Sequence, residues 1–141
     1  MVDIKVDGVD MVGASMPASG LFYERRASTL AAPVPANATG HILFRFDKRD
    51  TRSLQITSLG TSQHDNAVYR WYIDGILVDS ISGRAAIGTI LHPYVFPRPI
   101  RVDISIELQV DNNNPKPYPN DDATSVVDRI PFECVVNGIW R

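Results

Sequence analysis

Residues 101–110 read "RVDISIELQV", in which Val102, Ile104, Ile106, Leu108 and Val110 alternate with Arg101, Asp103, Ser105, Glu107 and Gln109. A β-strand turns successive side chains to opposite faces, so this spacing of two predicts a half-buried antiparallel strand with one wet face. Upstream, residues 67–79 read "AVYRWYIDGILVD". The Asp74-Gly75 pair between aromatic and branched residues is a two-residue hairpin signal, because a type I′ turn needs φ > 0 at both central positions. Such a turn pairs Ile73 with Ile76, Tyr72 with Leu77 and Trp71 with Val78. One face then carries Tyr69, Trp71, Ile73, Ile76 and Val78 and is the expected core face. The other carries Val68, Arg70, Tyr72, Leu77 and Asp79. Its two large apolar groups either meet a partner or pack on each other across the strands.

Further strands follow from the same period. "HILFRFD" at 41–47 aligns Ile42, Phe44 and Phe46, "RSLQITSL" at 52–59 aligns Leu54 and Ile56, and "FECVVNGIW" at 132–140 has Asn137-Gly138 as a bulge or bend. Two short helical candidates, 84–91 and 122–129, compete with Gly88, Thr89 and the β-branched pair Val126-Val127. Residues 2–6, "VDIKV", alternate as a short strand. Between Gly13 and Gly40, Ala, Ser, Pro and Gly predominate around "LFYERR", which predicts an extended arm with one strand near 21–26. The expected fold is all-β, an antiparallel sandwich of jelly-roll or Greek-key type. Residues 1–39 form a strand and extended arm, and residues 40–141 form the sandwich. On that division, a chain lacking residues 1–39 stays folded and loses its assembly.

At 141 residues and 44% hydrophobic content the chain suits one domain. Fourteen basic against 16 acidic residues give a net charge of −2, with no long run of one sign, so neither nucleic acid nor an anionic membrane is an expected partner. The N-terminus lacks a basic n-region, and no apolar run nears the ~20 residues of a membrane span. The expected location is therefore cytoplasmic, or the virion if the source is viral. The single Cys134, in "PFECVVNG", reads as a small buried hydrophobe. The Asn37-Ala38-Thr39 sequon lacks a secretory context.

No constellation names a reaction. His41, His64 and His92 share no metal-ligand spacing, and no nucleophile elbow or phosphate loop is present. Asp103 and Glu107 lie four residues apart on one strand face, roughly 13 Å at the rise of an extended chain, too far for paired carboxylate chemistry. An enzyme is not expected, and neither is a cofactor or a catalytic or metal-binding residue. The loop "DNNNPKPYPNDD" at 111–122 gathers oxygen ligands of the kind Ca²⁺ takes, yet it departs from the EF-hand pattern and is also ordinary turn chemistry. "LHPYVFPRPI" at 91–100 carries three prolines, which exclude a central strand. Its Tyr94 and Phe96 either close one end of the sandwich or anchor a partner.

Together, a strand-rich body at 40–141, the Ala/Pro-rich arm, the proline-stiffened aromatic loop and the two-faced hairpin resemble the small jelly-roll accessory and decoration proteins of tailed-phage capsids. That resemblance implies a non-catalytic structural protein that self-associates, with a trimer favoured, and binds a larger assembly such as a capsid shell. Leu21, Phe22, Tyr23, Tyr72, Leu77, Tyr94 and Phe96 are the candidate interface residues. The alternative is a carbohydrate-binding module with Tyr69, Trp71, Tyr94 and Tyr118 as its aromatic platform.

Overall fold

The computed structural model describes residues 20–121 and 129–141. Its strands are β1 (Gly20–Ala27), β2 (Ala38–Asp47), β3 (Leu54–Thr61), β4 (Ala67–Ile73), β5 (Ile76–Leu77), β6 (Tyr94–Val102), β7 (Ser105–Asn112) and β8 (Glu133–Trp140). They form two four-stranded sheets, ordered β1-β8-β3-β6 and β2-β7-β4-β5. First pairs with last, second with seventh, third with sixth and fourth with fifth, all antiparallel. A long hairpin rolled upon itself gives this order, and the sandwich is a jelly roll. The expected strand at 2–6 lies outside the described residues.

The core fills the space between the sheets, with Leu54, Ile56, Trp71, Ile106, Leu108, Val136 and Phe132 all removed from solvent. The opening stretch 101–110 is not one strand. Val102 ends β6 in the first sheet and Ser105 begins β7 in the second, so the chain changes sheets at Asp103-Ile104. The period of two survives the corner because Val102 enters the core from one side and Ile106 from the other. Ile104 sits on the corner and is 63% exposed, against the expected burial.

The hairpin forms as expected. Asp74 and Gly75 have φ of 53° and 81°, and Tyr72 pairs with Leu77 and Ile73 with Ile76. The Asp74 carboxylate is also the clasp of the corner. Its Oδ1 accepts from the backbone amides of Asp103 (3.0 Å), Ile104 (2.6 Å) and Ser105 (3.2 Å), while the Asp74 amide donates to the Ser105 carbonyl at 2.8 Å. Ile76, expected on the core face, is exposed, because β5 is a two-residue edge strand with little sheet beneath it.

Three further expectations are corrected. Ile42 is exposed while Phe44 is buried, since a register shift between them breaks the alternation of β2. The irregularity expected in β8 at Asn137-Gly138 lies instead in its neighbour β3, between Ile56 and Ser58. Segment 84–91 forms bends and no helix, whereas most of 122–129 lies outside the described residues. The proline-bearing strand β6 is an edge strand, where its missing amide donors leave no ladder bond unmade.

Residues 20–39 are built into the sandwich rather than hanging from it. β1 pairs with β8 along its whole length, and Phe22 and Val34 belong to the core. The connections 28–37, 62–66 and 78–93 and the described residues 113–121 and 129–132 gather at one end of the roll, stitched by Ser28 to Phe132, Val34 to Tyr118 and Asn113 to Asn66 backbone bonds. The tight corners 48–53, 74–75 and 103–104 gather at the other, where the Lys48 amide donates to the Ile104 carbonyl.

Candidate interaction surface

Strand alternation divides the candidate interface residues. On β1, Leu21 and Tyr23 point outward and are 83% and 57% exposed, while Phe22 between them is 5% exposed and meets Phe46 and Trp140 edge-on. Phe22 is therefore a core residue, because β1 is a paired strand of the sheet. Leu21 stands beside Ile139 of β8, which widens the apolar strip by one strand. Tyr94 and Phe96 lie on β6, the opposite edge of the same sheet, about 14 Å away across three strand spacings. Their rings meet edge-on at 5.3 Å, and Phe96 packs on the core, so this pair closes the sandwich edge while leaving Tyr94 partly open.

Tyr72 and Leu77 lie on the other sheet, in a row with Glu107 and Arg45. Around them the outer face is ionic. Arg45 pairs with Glu107 and Asp47, and the Gln109 amide donates to Glu107 at 2.6 Å. Arg70 grips Asp111 with two bonds of 2.7 and 2.6 Å, and the Gly40 amide adds a third at 2.8 Å. The Arg70 guanidinium holds the Asp111 carboxyl below its ordinary value, against the opposing effect of burial. Glu107, expected as a solvated strand-face charge, is only 6% exposed beneath this network. The seven candidate residues thus form three separate groups, and only Leu21 and Tyr23 project freely as a pair.

The Asn/Asp-rich loop has a structural occupation for its oxygens. Asn112, fully buried, donates to the carbonyls of Pro35 (3.0 Å) and Lys116 (2.8 Å), and its Oδ1 accepts from the Asn114 side chain at 3.0 Å. Asp111 is engaged by Arg70, and Asp122 lies outside the described residues. Among the described residues no group of three or more potential ligands gathers around a metal position. Of the proposed sugar platform, Trp71, Tyr69 and Tyr118 are buried, and burial pushes the Tyr69 hydroxyl up to about 12. Cys134 is fully buried in β8, and its thiol is likewise pushed up to about 12 by desolvation.

His64, which shares no metal-ligand spacing with His41 or His92, sits in an aromatic cluster. Its ring stacks on Phe132 at 4.1 Å and meets Tyr118 at 5.0 Å, with Nε2 3.0 Å from the Ile130 carbonyl. Desolvation lowers its pKa, opposed by that carbonyl and by Asp65. No local pattern signals this cluster, since Phe132, just before β8, lies 68 positions along the chain from His64. Clefts of about 420 and 380 Å3 flank it, sharing His64, Asp65 and Arg84.

Among the described residues no helix is long and apolar enough to cross a membrane. The chain matches no protein-family model, and a search of curated proteins finds no match to it.

Proposed function

We propose that this chain is a non-catalytic structural protein that self-associates, as a trimer, and binds a larger assembly such as a capsid shell in a virion. The observation that carries the reading is the projection of Leu21 and Tyr23 from an edge strand, with Ile139 alongside. Two large apolar side chains more than half exposed, on a strand whose outer edge meets no other strand among the described residues, favour association over solvation. A rolled sandwich supplies a stiff body for such a role, although many unrelated functions use this architecture. The burial of three of the four candidate sugar-stacking aromatics speaks against the carbohydrate-binding alternative.

Mass photometry of the purified chain, with the double variant Leu21→Asp/Tyr23→Asp alongside, tests the reading. A trimer that the double variant dissociates is expected. A monomeric wild type at micromolar concentration would overturn it.

A further inference from the structure

The long-loop end of the roll carries two adjoining clefts of about 420 and 380 Å3 that share His64, Asp65 and Arg84. Both fall in the size range of small-ligand sites. The second sheet supplies Val68 of β4 to the first cleft, and elsewhere on its outer face that sheet pairs its charges internally. Arg45 meets Glu107 and Asp47, and Arg70 meets Asp111. Asp65 and Arg84 depart from that pattern. Each is exposed and lines both clefts. Among the described residues neither side chain makes a hydrogen bond or an ion pair, with the other or with any third group.

The main chain that carries the two charges is held in place. Gly83, just before Arg84, exchanges two backbone bonds of 2.8 Å with Tyr69 of β4. The Asp65 carbonyl accepts from the Asn114 side chain at 2.8 Å, and the Asn66 carbonyl accepts from the Asn113 amide at 3.0 Å. Opposite charges thus face one space from fixed backbone, across a gap that neither closes. Burial lowers the pKa of His64, so its ring adds no charge at neutral pH. Gln63, Asn66 and Asn113 put amide groups on the walls, and the apolar lining is short, with Ala67, Ala85 and Ala86. An acid or a base alone would satisfy one charge and be repelled by the other, and an uncharged ligand would leave both without a counter-ion. The complementary molecule is small, has no net charge and holds an anion and a cation a few bonds apart.

We propose that this cleft binds a small zwitterion of the α-amino-acid class, with its carboxylate on Arg84, its ammonium on Asp65 and its side chain toward the amides of Gln63, Asn66 and Asn113. The inference goes beyond the assembly reading and is independent of it, since Leu21 and Tyr23 lie on β1 of the other sheet.

The test is a two-dimensional NMR titration of the full chain with each of the proteinogenic amino acids. Shifts of the Asn66 and Asn113 amide signals with a Kd of about 1–10 mM are expected for at least one of them, the affinity that an open, solvated cleft gives a small ligand. The N-acetyl derivative of that amino acid lacks the ammonium, and its primary amide lacks the carboxylate. Each should bind about two- to fivefold more weakly, the range of one exposed ion pair, and Asp65→Asn and Arg84→Gln should each cost the same. The two derivatives test the charges on the unaltered protein, so the outcome does not depend on how the variants fold. No shift from any amino acid at about 20 mM, well above the expected Kd, overturns the proposal. Equal binding of the singly charged derivatives also overturns it. Shifts produced by methyl glycosides and not by amino acids overturn it too, and assign the cleft to sugars.

Discussion

Asp74 does two things that a turn residue rarely combines. Its backbone takes the left-handed conformation that a two-residue hairpin requires, which costs a side chain such as Ala roughly 1 kcal/mol and Asp less. Its carboxylate then collects three amides from the corner where the chain leaves one sheet for the other. Removing the carboxylate leaves those amides to water and frees the corner. Asp74→Ala is expected to lower stability by about 2–3 kcal/mol, as a charged hydrogen-bond acceptor and the turn preference are lost together. Asp74→Asn keeps the left-handed preference and one acceptor oxygen, and should lose about 1 kcal/mol. Urea titrations of both variants check the ordering, and equal losses would show that the clasp contributes nothing beyond the turn. The Asp-Gly pair itself was plain in the sequence. The corner it clasps was not, because Asp103 is 29 positions away and the alternation of 101–110 runs through the bend unbroken.

At the scale of elements, the long-loop end is held by an aromatic cluster in which His64 is the one imidazole. It belongs to the connection between β3 and β4 and stacks on Phe132, just before β8, with Tyr118 from the β7–β8 connection. Burial lowers the pKa of His64 in the folded protein below the 6.5 of the unfolded chain. The unfolded state therefore binds the proton first as pH falls, so stability is full above about 6.5 and declines below it, until the folded ring also protonates. His64→Phe, which keeps a flat ring against Phe132, should flatten this decline between pH 7.5 and 5.5, with His41 and His92 left as controls. Urea midpoints at the two pH values measure it, and an unchanged slope in the variant would assign the dependence elsewhere. Strand elements were legible from period two, and the hairpin from its turn chemistry. The bulges in β2 and β3 were not, since an inserted residue leaves no mark in composition. The close contact of Gly60 with the Thr89 backbone, where a Cβ would collide with the carbonyl, is visible only in three dimensions.

The molecule as a whole is bound together by its most distant parts, because the rolled hairpin pairs β1 with β8 and β2 with β7. This topology makes the first strand part of the body. Small residues and repeated prolines between Gly13 and Gly40 predict an extended arm, but Phe22 and Val34 are core residues, and Ser28 is bonded to Phe132 on both backbone and side chain. A handful of buried side chains in a proline-rich sequence is too sparse a signal for periodicity to register. Consequently two truncations separate sharply. Removing residues 2–12 leaves every described strand intact, and the chain should keep the strand-type dichroism and cooperative melting of the full protein. Removing residues 1–39 strips the edge from the first sheet, exposes the ladder of β8 and deletes Phe22 and Val34. Losing each such large side chain costs about 2–5 kcal/mol, which together approaches the whole stability of a domain this size. The shorter chain should therefore unfold or aggregate at 37 °C, with loss of the cooperative thermal transition by calorimetry. A 40–141 fragment that melts cooperatively near the full-length Tm would show instead that β1 is an accessory to a sandwich already complete without it.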